Sequence, residues 1–187
     1  MSLYKFVRAS AALLLFGASA FAVQPPLLPR PIAHPIPGPP LTQVIQASGY
    51  IFQGTVTQVR WIKAKNPQDV ASVQITFRVT QGIRGVQAGQ MLSVREWAGL
   101  WDRGERYQPD QRVVLFLYHP SKLGLTSPVA GPLSKFVVET NGAIQLNEQQ
   151  RILLSGEPRF APAIRTHAPV KAQTFASTIL QLARREP

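Results

Sequence analysis

Ala71-Ser-Val-Gln-Ile-Thr-Phe-Arg-Val-Thr80 is the stretch that decides the fold. Ala71, Val73, Ile75, Phe77 and Val79 alternate with Ser72, Gln74, Thr76, Arg78 and Thr80. A period of two over these ten residues puts one face in a core and the other in water, the mark of a half-buried strand. Upstream, Tyr50 to Trp61 reads as a long strand, with Ile51 on one face and Tyr50, Phe52 and Val56 on the other. Val59 breaks that alternation, and Gly49 and Gly54 suggest a bulge or tight bend. Lys63–Asp69, with Asn66-Pro67, is a polar loop between the two strands, and Leu41–Ala47 before them is a short helical turn.

Downstream, Gly82, Gly85 and Gly89 mark a turn, and Met91 to Trp97 is a third strand. Ala98–Asp110 reads as a loop, with Gly99, Gly104 and Pro109. Arg112 to Tyr118 is a fourth strand whose Val113-Val-Leu-Phe-Leu117 run is apolar on both faces, so it is central or covered on both sides. His119–Ser134 is irregular. Phe136–Thr140, Asn141-Gly142 and Ala143–Leu146 predict a hairpin with a type I′ turn. Gly156–Lys171 is again irregular, and Thr174–Arg185 is a helix with Phe175, Ile179 and Leu182 on one face. Five or six strands separated by turns, with little helix among them, predict a mainly β fold: a small antiparallel β-barrel with a C-terminal helix packed on it.

The N-terminal region reads differently. Lys5 and Arg8, the apolar run Ala9–Phe16 and the small-x-small triplet Ala20-Phe21-Ala22 have the order of a cleavable secretory signal at residues 1–22. That run is too short for a spanning helix, and no other stretch is long and apolar enough. Gln24–Pro40 holds eight prolines in seventeen residues, so 23–40 is a semi-extended linker. The barrel domain is expected over 41–147, and an irregular segment with the terminal helix over 148–187. These features predict an exported protein, periplasmic or secreted. The absence of cysteine excludes a lipid-anchored Cys, disulfides, thiol catalysis and cysteine-held zinc.

Three phrases in this region carry a resemblance. They are Ile45-Gln-Ala-Ser-Gly-Tyr-Ile-Phe-Gln-Gly-Thr-Val-Thr57, Ile75-Thr-Phe-Arg-Val-Thr-Gln-Gly-Ile-Arg-Gly85 and Gly104-Glu-Arg-Tyr-Gln-Pro-Asp-Gln-Arg-Val-Val-Leu-Phe-Leu117. Together they resemble netrin-like, tissue-inhibitor-of-metalloproteinase-like domains over about 45–118. The resemblance implies an OB-like barrel, named for oligonucleotide and oligosaccharide binding, and a secreted binding role. The animal inhibitors place an N-terminal cysteine on the protease's zinc. This chain has no cysteine, so no inhibitory residue carries over.

The formal charge of the chain is +11, and +9 without the signal residues Lys5 and Arg8. A positive field of this size attracts anionic polymers and surfaces. Arg60, Lys63 and Arg95, with Trp97, Trp101 and Tyr107, are the candidate ligand contacts. Trp61, Arg78 and Arg84 complete a possible basic face for nucleic acid, although export favours an anionic glycan or a lipid head group over nucleic acid.

Glu96, Asp102, Glu105 and Asp110 lie among Trp97, Trp101 and Tyr107, which raises a glycan hydrolase with two carboxylates. Arg95, Arg103, Arg106 and Arg112 interleave with them, and ion pairing explains the acids without catalysis. His34, His119 and His167 have no metal-ligand spacing, and there is no nucleophile elbow or phosphate loop. No catalytic residue, cofactor or metal site is therefore expected. The expectation is a non-enzymatic binding protein for another exported macromolecule, a protease among the candidates. A polyanion- or glycan-binding module and the hydrolase stand as alternatives.

Overall fold

The computed structural model describes residues 38–66, 69–102 and 106–185. The expected signal segment 1–22 and most of the linker lie outside the described residues. In order, the elements are α1 (Leu41–Ala47), β1 (Tyr50–Ile62), β2 (Ser72–Arg84), β3 (Met91–Trp97), α2 (Ala98–Asp102) and β4 (Arg112–Leu117). There follow a 3-10 turn (Gly131–Ser134), β5 (Lys135–Val138), β6 (Ile144–Gln145), α3 (Glu148–Ser155), α4 (Ala161–Arg165) and α5 (Ala172–Arg185). The strands form one antiparallel sheet in the order β3-β2-β1-β4-β5-β6. The protein is mainly β, as the alternation in Ala71–Thr80 requires.

The long β1 and β2 bend because their register slips. Between Val56 and Gln58 one extra residue, Thr57, is inserted opposite β2. That bulge turns Val59 back onto the face of Val56, which is why its alternation breaks. The sheet curls without closing. Thr126 meets Glu96 of β3 in a parallel bridge, with Thr126 N–H donating to Arg95 O at 2.8 Å. Leu117 at the end of β4 meets Pro128 in an antiparallel bridge. Single bridges through Thr126–Pro128 thus link β3 to β4, and the result is a loose OB-like barrel.

β4 divides two cores. Val113, Leu115 and Leu117 face the barrel interior with Phe52, Val56, Ile75, Phe77 and Val94. Val114 and Phe116 face the other way, into a layer with Leu41, Ile45, Phe136, Leu154, Phe160, Phe175 and Ile179. The apolar run read on both faces of this strand is thus buried on both sides. The C-terminal helix closes the second layer: Phe175 lies 4.8 Å from Phe136, 5.2 Å from Phe160 and 6.3 Å from Phe116, centroid to centroid.

Three local expectations are corrected. Ala98–Asp102 is a short helix, not loop. The hairpin turn is not type I′, because only Gly142 has positive φ (79°) and Asn141 does not. Asn141 instead accepts from Ala143 N–H at 2.6 Å through its side chain, and Gly142 N–H donates to Glu139 O at 3.0 Å, so the turn spans Glu139–Gly142 and the glycine sits at its end. The segment after the hairpin is not irregular throughout. It contains α3, capped reciprocally by Asn147 and Gln150, and α4. Asn147 Oδ1 accepts from Gln150 N–H at 2.9 Å, and Gln150 Oε1 accepts from Asn147 N–H at 3.1 Å. Removal of that cap exposes unsatisfied donors. Asn147→Ala is expected to lower stability by about 1 kcal/mol. Urea unfolding would show a lower midpoint at unchanged slope.

Candidate functional site

The candidate site is built on the outward side of β1, β2 and β3. Even-numbered residues of β2 point outward there, and cross-strand register sets their neighbours. One row is Arg60–Gln74–Arg95 and the next is Gln58–Thr76–Ser93. Beyond these lie Thr55–Arg78–Met91 on one side and Ile62–Ser72–Trp97 on the other. Arg60 and Arg95 flank one central residue, so their Cα atoms are about 10 Å apart, and Arg78 lies about 13 Å along β2 from Gln74. These four rows hold three arginines and no acidic residue.

A hydrogen-bond lattice holds the face. Arg60 Nη2 donates to Gln74 Oε1 at 2.6 Å, and Arg95 Nη2 donates to Ser72 Oγ at 3.0 Å. Thr76 and Ser93 hydroxyls lie 2.9 Å apart. Arg60 and Arg78 are exposed, and Arg95 is half-buried. Each guanidinium has five donors in a rigid fork, and the neutral partners above use only part of that capacity.

Two loops rise at the Trp97 end of this face. Lys63 is exposed just beyond β1. In the same loop, Asp69 accepts from Lys65 N–H at 3.1 Å and from Val70 N–H at 2.8 Å. The Lys65 bond first, then the Val70 bond, then the charges of Arg95 and Lys65, hold this carboxyl below the ordinary aspartate range. A depressed carboxylate favours the ordered loop above its unfolded-state value, and loses that effect as pH falls through the folded-state value. The Lys65 and Val70 amide shifts are therefore expected to titrate with a midpoint below that of an ordinary aspartate. A midpoint at or above the ordinary value would contradict the loop geometry. Asp69, Val70 and Arg95 line a small cleft with Leu123 and Leu125, so the 63–71 loop and the loop after β4 meet over β3.

The six candidate contacts separate. Arg60, Lys63, Arg95 and Trp97 lie on or beside the outward face. Trp101 and Tyr107 do not, being 6% and 3% exposed and packed with the barrel interior. Tyr107 OH donates to Glu96 Oε1 at 3.1 Å, and Trp101 Nε1 donates to Glu96 Oε2 at 3.4 Å. Trp61 covers Trp101 edge-on at 5.8 Å. These rings plug the barrel mouth over a buried carboxylate. Of the other acids considered for hydrolysis, Glu105 and the side chain of Asp102 lie outside the described residues, and Asp110 is exposed in the turn before β4, its N–H donating to Val56 O at 2.8 Å.

Protein comparisons add no family to this picture. No protein-family model matches the chain, and no curated protein matches it either.

Arg84 leaves the expected basic face. It is half-buried and donates to Ile45 O at 2.5 Å and to Ser48 O and Ala183 O at 3.4 Å each. Its charge sits on carbonyls at the C-terminal ends of α1 and α5, where a cation is favoured. Tyr118 and His119 were not among the sequence candidates. They lie in the loop after β4 beside Trp97, and no periodicity in that Pro- and Gly-rich segment marks them. Among the described residues no three His, Cys, Asp or Glu side chains gather as a metal site, and no helix is long and apolar enough to cross a membrane.

Proposed function

We propose that this chain is an exported, non-enzymatic binding module that holds an anionic glycan across the outward face of β1, β2 and β3. The observation that carries this reading is the placement of Arg60, Arg78 and Arg95 on three adjacent strands whose paired rows hold no acid, with Asp69 of the flanking loop beside Arg95. Guanidinium forks suit sulfate and carboxylate groups, and the net charge of the chain adds long-range attraction. The netrin-like resemblance over about 45–118 supports a binding role. Burial of Glu96 beneath Trp101 and Tyr107 weighs against the hydrolase alternative. A protein partner is the competing occupant of the same face.

Retention of the full chain on immobilised heparin, eluted with salt, tests the reading. Arg60→Ala, Arg78→Ala and Arg95→Ala together are expected to weaken binding roughly ten- to hundredfold, at about 0.5–1 kcal/mol for each lost surface ion pair. The control removes the same charge from the helical side, with Arg151→Ala, Arg159→Ala and Arg165→Ala. An equal loss in the control would reduce the interaction to net charge and overturn the proposed face. Retention that ignores salt would contradict ionic recognition by these arginines, and no retention at all would favour the protein partner.

A further inference from the structure

A depression of about 380 Å³ opens at the end of the arginine face, within the size range of small-ligand sites. Trp97, Tyr118, His119, Ser121, Leu125 and Ser127 line it. We infer that it is a subsite for one ring of an acidic sugar, a uronate or sulfated hexose, with the ring on Trp97 and Tyr118 and the acid group toward Arg95. The inference rests on the glycan-binding reading of the arginine face and adds a stacking position to it.

The aromatics are placed as platforms, not as core. Trp97 is 45% exposed and Tyr118 42% exposed, and both line the same hollow. Trp97 points outward from β3, opposite to the buried Glu96. Its indole lies against the backbone of Gly99, where a Cβ would come within 2.5 Å of the ring. Only glycine leaves room for that pose. Tyr118 is held by its main chain: its N–H donates to Ser127 O at 3.0 Å, and Thr126 Oγ1 donates to its carbonyl at 2.7 Å. The Trp97 ring, fixed in advance against Gly99, loses little freedom when a ligand arrives, and Tyr118 presents its ring from an anchored main chain.

The rest of the lining is an apolar bed, Leu100 and Leu125, with hydroxyls at its edge, which matches the two kinds of surface a sugar ring presents. A pyranose offers C–H faces to aromatic rings and hydroxyls at its edge. Ser121 Oγ accepts from Leu125 N–H at 3.2 Å, which leaves its hydroxyl proton to donate. His119 and Ser127 add polar groups on the same wall. Arg95 is two residues from Trp97 on the same face of β3, about 7 Å between Cα atoms, and Leu125 lines both this hollow and the Arg95 cleft. An acid group on a ring stacked at Trp97 therefore lies toward the Arg95 guanidinium, which also donates to Ser72 and shares its cleft with Asp69.

Two probes of matched charge separate this subsite from the arginine face: a sulfated heparin oligosaccharide, and inorganic polyphosphate, which has no ring. Each is titrated by calorimetry into the full chain and into Trp97→Ala, Tyr118→Ala and Gly99→Ala, with circular dichroism confirming the fold of each variant. Trp97→Ala and Tyr118→Ala are each expected to weaken oligosaccharide binding by about tenfold or more while leaving polyphosphate within about twofold. Gly99→Ala, which displaces the indole, is expected to follow Trp97→Ala. Unchanged oligosaccharide binding in these variants, or an equal fall for both probes, would overturn the subsite and leave the arginine face standing. Binding of polyphosphate but not oligosaccharide by the unaltered chain would also overturn it. Binding of neither would overturn the arginine-face reading itself.

Discussion

Phe175→Ala is expected to cost about 3–5 kcal/mol, the range for removing a buried phenylalanine. The ring is fully buried and meets Phe116, Phe136 and Phe160 in one cluster. Those partners come from β4, β5 and the segment before α4, so one side chain joins the C-terminal helix to the sheet and to the helical layer. The neighbours belong to several elements and cannot all move into the space, which leaves a cavity. A loss of this size is a large share of the stability of a typical domain. Thermal unfolding followed by circular dichroism is the measurement. Phe175→Leu keeps most of the volume and is expected to lose less than half as much. Equal behaviour of the two variants would mean that the aromatic cluster does not hold α5 in place.

Glu96→Ala is expected to cost about 2–4 kcal/mol, because it strands buried donors that the carboxylate now satisfies. Glu96 is fully buried and accepts from both Tyr107 and Trp101. Glu96→Gln preserves the shape and one carbonyl acceptor, and the Tyr107 hydroxyl can turn to accept from the new amide. Its expected cost is about 1 kcal/mol. Chemical denaturation of both variants, with tryptophan fluorescence as the probe, reads the barrel mouth directly. Full stability in Glu96→Ala would contradict the structural role given to this carboxylate.

The strands were legible because burial leaves a period in the sequence. Ala71–Thr80 alternates since β2 has one wet face, and Val113–Leu117 is uniformly apolar since β4 lies between two cores. The bulge at Thr57 was legible only as the misplacement of Val59. The helix α3 had its own signal in Asn147-x-x-Gln150 ahead of Ile152-Leu-Leu154, which the expectation of an irregular segment passed over. Five residues of α2 are too few for a period of 3.6 to appear.

The site was half legible for the same reason. Arg60 and Arg95 sit on strands, where register brings them together across Gln74. Trp101 and Tyr107 lie in α2 and the segment after it, where charge and aromatics alternate without a period. Nothing local distinguishes a ring that plugs a barrel mouth from one that meets a ligand. Tyr118 joins Trp97 only because the chain past β4 folds back to β3 at Thr126, a long-range contact with no local signature.

The most direct test of the binding face is an amide chemical-shift map of the full chain titrated with a sulfated heparin oligosaccharide. Saturable shifts are expected at Gln58, Arg60, Gln74, Thr76, Arg78, Ser93 and Arg95, extending to Trp97 and Tyr118, with α3, α4 and α5 silent. Shifts centred on Arg151, Arg165 and Arg184, or spread evenly over every basic residue, would contradict it.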